Sequence, residues 1–125
     1  MMFSFFKKKP APKIDLYSLE YQYKELLKMS QDYPEICTTE ETDDFELKFI
    51  DCGVRYDTYT NEEISMEKII YTSKEPMVFS ANDAPQIHYG VIEVEEGYRV
   101  WEVLTSSSQI PEQVKQHLIS HGYGV

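Results

Sequence analysis

Residues 87–105 read IHYGVIEVEEGYRVWEVLT, and this stretch is the clearest indication of the fold class. Two runs rich in β-branched and aromatic residues flank an acidic turn that contains a glycine, which is the pattern of a β-hairpin. A three-residue loop at 95–97, with Gly97 in the left-handed conformation, pairs Glu93 with Arg99 and sets apolar residues opposite one another. A two-residue loop mixes polar and apolar neighbours. We therefore predict the three-residue loop.

Both faces of this hairpin are apolar. Such a hairpin is either covered on both sides within a sheet or exposes a patch around Trp101. The face that carries Trp101 is a candidate apolar interface, and a homodimer built on it is one hypothesis. In the predicted register, this face consists of Tyr89, Val91, Trp101 and Val103. The opposite face consists of Ile92, Val94, Val100 and Leu104.

Helical patterns lie on either side of the strand-forming region. Residues 15–31 are predicted to form a helix with Asp15 as its N-cap. A second helix is predicted over residues 110–121, started by Pro111 and stopped by Gly122. The apolar stripe of the first helix consists of Leu16, Leu19, Tyr23, Leu26 and Leu27.

The middle of the chain is predicted to form strands. Residues 45–50 and 54–60 are predicted strands, and residues 77–80 are a shorter candidate. Residues 35–44 carry five acids without periodicity and are predicted as a loop, whereas residues 61–73 fit either a helix or a strand. The order predicts an α+β fold, with an antiparallel sheet of four to six strands flanked by an N-terminal and a C-terminal helix. The two helices are expected on one face of the sheet.

The length of 125 residues fits one compact domain and is too short for two ordinary ones. Residues 14–125 are predicted to form this domain, and residues 1–13 a flexible N-terminal tail of phenylalanines, lysines and prolines. The small apolar area of the tail argues against stable membrane attachment. In the tail the apolar residues precede the lysines, whereas a secretory signal begins with its positive charges. The spacing of Cys37 and Cys52 matches neither a redox pair nor a zinc site. These features predict a cytoplasmic protein with free thiols.

The net charge of −10 is concentrated in residues 32–67. This window holds twelve acids against Lys48 and Arg55, while acids and bases balance elsewhere. A field of one sign attracts cations and basic surfaces and repels phosphates. The chain has only two arginines and no glycine-rich phosphate loop, which disfavours nucleic-acid and nucleotide binding. The acidic run at 40–44 does not follow the calcium-loop pattern.

Three histidines are the candidates for metal or catalytic chemistry. His117 and His121 are four residues apart on a predicted helix and share a face, but zinc needs a third ligand and HLISH lacks the glutamate of HExxH. Histidines in a last helical turn also interact well with the helix dipole, so we predict no metal and no other cofactor. His88 forms a catalytic pair with Cys37 or Cys52 only if the fold brings them together.

Binding to a protein is the interpretation that these exclusions leave. Tyrosine among carboxylates suits an interface, because the ring supplies buried area and the carboxylates steer a basic partner. We therefore predict a non-enzymatic protein that binds a basic protein partner. Its most concrete form is a toxin-neutralising immunity protein, a small acidic inhibitor that covers the basic active site of a nuclease, which rests on analogy in charge and size. The predicted contacts are Tyr56, Asp57, Tyr59, Glu62, Glu63, Asp43 and Asp44.

An alternative class remains open at the sequence level. The chain could be a small-ligand-binding or enzymatic α+β domain with a pocket near Trp101 and His88. A ligand that stabilises the protein, with an effect that Trp101→Ala abolishes, would favour this class.

Overall fold

The computed structural model describes residues 17–78, 81–82 and 84–125. The predicted tail at 1–13, Asp15 and Leu16 lie outside the described residues. The elements are helix α1 (Leu19–Asp32), a 3-10 turn (Pro34–Ile36), strands β1 (Cys37–Glu41), β2 (Phe45–Tyr56), β3 (Glu63–Ser73), β4 (Tyr89–Glu95) and β5 (Arg99–Thr105), and helix α2 (Glu112–Ser120). An antiparallel sheet between an N-terminal and a C-terminal helix confirms the predicted α+β class.

The five strands lie in the order β1-β2-β3-β4-β5, so each strand pairs with the next one in the chain. The ambiguous segment 61–73 contains strand β3, whose central residues Ile69 and Ile70 are buried. The predicted loop over 35–44 is wrong in part, because Cys37–Glu41 pairs with β2 as an edge strand. Acids are tolerated there because an edge strand keeps much of its surface in water. In the candidate strand at 77–80, Met77 forms an isolated bridge with Gln86, and residues 79–80 lie outside the described residues.

The helices pack on opposite faces of the sheet, which corrects the prediction that both lie on one face. The central strands carry apolar residues at successive positions, and each of their two faces therefore needs cover. The buried residues on the α1 side, the α1 cluster, are Leu26, Ile50, Ile70 and Val91. The buried residues on the α2 side, the α2 cluster, are Phe45, Leu47, Phe49, Ile69, Tyr71, Ile92, Val94, Val114, Leu118 and Tyr123.

Both helices have ends that their sequences explain. The side chain of Ser18, rather than that of Asp15, caps α1 by accepting the N–H of Tyr21 at 3.2 Å. Helix α2 follows Pro111 and ends before Gly122, which has a φ of 90°. The described residues of the predicted stripe, from Leu19 onwards, pack in or against the α1 cluster. None of the helices in the described part of the chain has the length and apolar character that a membrane crossing needs.

The β4–β5 hairpin forms with a three-residue loop and a left-handed Gly97, as predicted, but the loop lies at 96–98 rather than 95–97, and the predicted register is therefore wrong. Glu95 pairs with Arg99, and the loop between them holds two consecutive residues with positive φ, Gly97 at 82° and Tyr98 at 62°. Such left-handed pairs match the twist of the flanking strands. Farther from the loop, the register shifts because Trp101 is an extra residue in β5, which is a β-bulge.

The bulge changes which residues share a face. Val103 pairs with Ile92 and packs against the α2 cluster, whereas Val91 is buried in the α1 cluster. Tyr89 contacts the ring of Tyr23 in α1, with 4.5 Å between centroids. Of the four predicted residues, only Trp101 is largely exposed, at 59%. The predicted apolar interface of Tyr89, Val91, Trp101 and Val103 is therefore not one face.

Candidate functional site

A bulge in β2 separates the sheet from a two-stranded extension. The pairing of β2 with β3 shifts after Asp51, where Gly53 has a φ of 79° and its N–H donates to the Asp51 carboxylate at 2.8 Å. Strand β1 pairs with β2 only as far as Ile50, and β4 pairs with β3 only as far as Met66. Residues 54–65 therefore extend beyond the neighbouring strands, and we call them the β2–β3 arm.

Asp57 organises the tip of the β2–β3 arm. Its N–H donates to the carbonyl of Glu62 at 2.9 Å, and its own carbonyl accepts the N–H of Asn61 at 2.7 Å. The Asp57 carboxylate also accepts the N–H of Tyr59 at 2.9 Å, and this hydrogen bond lowers the pKa of Asp57 below its ordinary value. The turn is thus held by its own hydrogen bonds, while the Tyr59 ring is 97% exposed.

The structure separates the predicted contact residues into two groups. Five of them belong to the β2–β3 arm, where they are exposed or half-buried: Tyr56, Asp57, Tyr59, Glu62 and Glu63. Asp43 and Asp44 precede the first residue of β2, at the other end of a 12-residue strand. A strand of that length spans on the order of 35 Å, so this pair does not join the arm.

A cleft of about 390 Å³ opens beside the base of the arm, and we call it the acidic cleft. Val94 and Met66 contribute apolar surface to it. Arg55 of the arm pairs with Glu95 at 2.8 Å and lies 5.9 Å from the centre of the Trp101 ring. Four carboxylates line the cleft, those of Asp51, Glu67, Glu95 and Glu96. An apolar surface surrounded by carboxylates suits the side chain of a lysine or an arginine.

A second group of candidate side chains forms where the C-terminal end of α2 meets β1. Nε2 of His117 lies 3.2 Å from Oε2 of Glu40, and Nε2 of His121 lies 3.3 Å from the same oxygen. The three side chains have the donor atoms that hold transition metals. Sequence patterns did not reveal Glu40, because it is 77 residues from His117 and only the docking of α2 brings the two together.

A smaller cleft of about 240 Å³ adjoins this group, and Glu40 and His121 both line it. Tyr123 also lines this cleft and donates its hydroxyl to Oε1 of Glu67 at 2.6 Å. Burial and the Glu67 carboxylate raise the pKa of Tyr123, so the phenol stays protonated and acts as a donor. Glu67 also lines the acidic cleft, and it therefore lies between the two sites.

Trp101 and His88, near which a pocket was predicted, lie far apart in the described part of the chain. His88 immediately precedes β4, is buried, and its N–H donates to Oγ of Ser73 at 2.9 Å. Trp101 lies opposite the other end of β4, which places it on the order of 17 Å from His88 along the strands. Cys37 and Cys52 are half-buried free thiols packed against the α1 cluster. Burial raises the pKa of Cys52, which makes it a poor nucleophile at neutral pH.

Comparison with protein-family models, with curated proteins and with solved structures found no match. Likeness to a characterised protein therefore contributes nothing to a functional assignment. The geometry of the arm, the two clefts and the histidine group is the basis for one.

Proposed function

We propose that this protein is a non-enzymatic binding protein that engages a basic protein partner through the β2–β3 arm and the acidic cleft. The observation that carries the proposal is the presence of exposed tyrosines on an arm whose base adjoins a cleft lined by four carboxylates. The two free thiols suit a reducing compartment, and we propose that the protein acts in the cytoplasm.

The aromatic side chains of the arm support the proposal. Tyr56 and Tyr59 are 60% and 97% exposed, although tyrosine rings are large enough to bury substantial area in a contact. Tyrosine is enriched among the residues that dominate binding energies, because its rigid ring buries area at a small entropic cost. A two-stranded arm that extends beyond the sheet can present these rings to a groove on a partner.

The charges beside the arm support a basic partner rather than an acidic one. Arg55 neutralises Glu95, but in the described part of the chain Asp51 and Glu96 make no ion pair. These carboxylates add to the net charge of −10, which attracts basic surfaces and raises their association rate. A lysine or arginine side chain that enters the acidic cleft would neutralise the negative charge of these carboxylates.

A toxin-neutralising immunity protein is the most concrete form of this proposal. The basic active site of a nuclease is complementary to the acidic cleft, and an arm of this size could block entry of nucleic acid. We expect a captured nuclease to lose activity when an equimolar amount of the protein is added. A partner that keeps its activity would count against this form while leaving the binding proposal intact.

The experiment is capture of partners on the immobilised protein, with two matched pairs of variants. Glu62→Gln/Glu63→Gln removes two charges from the arm, and Asp43→Asn/Glu75→Gln removes two charges at the other end of β2. Tyr59→Ala removes an exposed ring from the arm, and Tyr33→Ala removes a 55% exposed ring after α1. Captured proteins are identified by mass spectrometry at low and high salt, and affinities are then measured with the purified partner.

We expect basic partners whose binding weakens as salt rises. The arm variants should weaken binding, with Tyr59→Ala costing about 2 kcal/mol or more if it is a hot spot, and the two control variants should bind normally. Binding that does not depend on salt, or that is equally affected by an arm variant and its control, would contradict the proposal.

A further inference from the structure

We propose that Glu40, His117 and His121 form a binding site for a divalent transition-metal ion, with Zn²⁺ as the occupant. This inference goes beyond partner binding and does not depend on it, because none of the three residues belongs to the β2–β3 arm. It rests on the convergence of two imidazole nitrogens on one carboxylate oxygen.

The distances match the edges of a tetrahedral zinc site. Bonds of about 2.0–2.2 Å from zinc to nitrogen or oxygen place neighbouring ligand atoms about 3.3 Å apart. The Glu40 oxygen lies 3.2 Å from Nε2 of His117 and 3.3 Å from Nε2 of His121. All three ligand atoms lie within 4.8 Å of one another, so closing the third edge needs only a small rotation of the imidazoles.

Regular structure holds Glu40 and His117, and His121 is the C-cap residue directly after α2. Glu40 is held in β1 by pairing with Leu47 of β2. Helix α2 is anchored by the buried Val114 and Leu118, and its geometry brings residues 117 and 121 to one face. Ligands that start from packed elements lose less freedom on binding, which favours metal affinity.

Zinc is the ion that this donor set fits. Calcium and magnesium prefer sites made entirely of oxygen, whereas two imidazoles and one carboxylate are a common zinc set. Three protein ligands leave one tetrahedral position for water. Glu40 and His121 line the cleft of about 240 Å³, which gives such a water room at the surface.

The two imidazoles lie against each other as well as against Glu40, with 4.8 Å between their ring centroids. One metal ion could bind all three groups at once, because its ligands include neutral imidazole nitrogens and carboxylate oxygens.

The test is a titration of the full chain with Zn²⁺ by calorimetry, and with Co²⁺ by visible absorption. We expect one ion per chain and the d–d absorption of four-coordinate Co²⁺. Glu40→Gln and His121→Gln should each weaken Zn²⁺ binding by at least about tenfold, since loss of even an outer-shell partner costs about 10- to 100-fold. Glu41→Gln, a change of the same kind at the neighbouring residue, should bind normally.

Two further measurements distinguish this site from zinc binding by the thiols and from loss of the fold. A Cys37→Ser/Cys52→Ser variant should keep its affinity for Zn²⁺, because the thiols are not ligands. Zn²⁺ should raise the melting temperature of the wild-type protein and of Glu41→Gln, and a chelator should reverse this shift. His121 is 43% exposed in its side chain, so His121→Gln is expected to fold even if Glu40→Gln does not.

Three results would overturn the inference. They are the absence of Zn²⁺ binding to the wild-type chain, equal affinities for Glu40→Gln and Glu41→Gln, and loss of binding on replacement of the cysteines. In each case the histidines would serve only as partners of Glu40. Because the arm is unchanged in all these variants, partner capture would be unaffected by any of the three results.

Discussion

The hydroxyl of Tyr123 joins the segment after α2 to the sheet. It donates to Glu67 of β3 at 2.6 Å, while the ring packs against Phe49 and Tyr98 at 5.9 and 4.9 Å between centroids. Its ring therefore belongs to the α2 cluster, and its hydroxyl satisfies a carboxylate at the edge of that cluster. A single substitution can separate the packing of the ring from the hydrogen bond of the hydroxyl.

Tyr123→Phe should destabilise the protein in a pH-dependent way. Removal of a hydrogen bond to a charged group should lower the free energy of unfolding by about 1.5–3 kcal/mol at neutral pH. The pKa of Tyr123 is raised in the folded state, whereas an unfolded tyrosine titrates near about 10. This hydroxyl therefore contributes fully to the free energy of unfolding below a pH of about 10, and the contribution is lost as the pH rises beyond that value.

Urea unfolding of both proteins from pH 7 upwards measures this difference. The advantage of the wild-type protein over Tyr123→Phe should narrow above pH of about 10. Tyr33→Phe, at an exposed tyrosine, should match the wild-type protein throughout. A constant difference between wild type and Tyr123→Phe across the whole range would show that the raised pKa does not contribute to stability.

Single residues also show where sequence patterns stop being informative. Tyr59 was predicted as a contact from its acidic neighbours alone, and it is 97% exposed. Glu40 could not be singled out, because it is one of 22 acids and its histidine neighbours are distant in sequence. Local composition predicts surface chemistry, but a site that joins β1 to α2 depends on tertiary packing.

At the level of elements, β2 is the strand that links the sheet to the arm. Its bulge requires the positive φ of Gly53, and a Cβ at that position would meet no heavy atom within 4 Å. The constraint is therefore backbone strain rather than crowding. The bulge at Gly53 lies where β2 continues from the sheet into the β2–β3 arm.

Gly53→Ala should destabilise the protein by about 1–2 kcal/mol, because a left-handed conformation costs that much for most residues. Gly53→Asn should cost less, since asparagine tolerates this region better. Urea unfolding measures the stability, and hydrogen exchange of residues 54–65 measures opening of the arm. We expect faster exchange in Gly53→Ala than in Gly53→Asn. Equal stability of the alanine variant and the wild type would contradict the role given to the bulge.

The helices were predicted from the sequence more accurately than the strands and their register. The helices follow local periodicity, as does the apolar stripe of α1, and the structure confirms both helices with shifted ends. The β4–β5 hairpin was predicted, but its register was not, because the bulge at Trp101 is invisible to a pattern that assumes strict alternation. Strand β1 was missed because its acids resemble a loop, although an edge strand accommodates them.

Across the whole molecule, the two apolar clusters lie on opposite faces of the sheet and neither includes a residue of the β2–β3 arm. The sequence predicted apolar residues on both faces of the hairpin, but it did not predict that the helices cover opposite faces of the sheet. The face that each helix covers depends on the path of the segment that connects the helix to the sheet. Stability and the proposed binding surface are thus located in different parts of the molecule.

Replacement of residues 57–62 by Asn-Gly should remove the tip and preserve the fold. Tyr56 and Glu63 are directly paired, and a two-residue type I′ turn can connect such a pair. We expect the same circular dichroism and cooperative unfolding as in the wild type, together with loss of partner capture and intact Zn²⁺ binding. A variant that unfolds, or that still captures the partner, would contradict this separation.

The order of the strands has a consequence for how the chain folds. Every strand pairs with its successor, so the sheet can grow by one strand at a time, and the longest connection between successive strands is residues 74–88. The contact of α2 with β1 spans 77 residues and must close a much longer loop. The sheet can therefore assemble before α2 docks on it, and Glu40 then meets its histidines last. A metal ion bound between Glu40 and the histidines would stabilise only those chains in which α2 has already docked on the sheet.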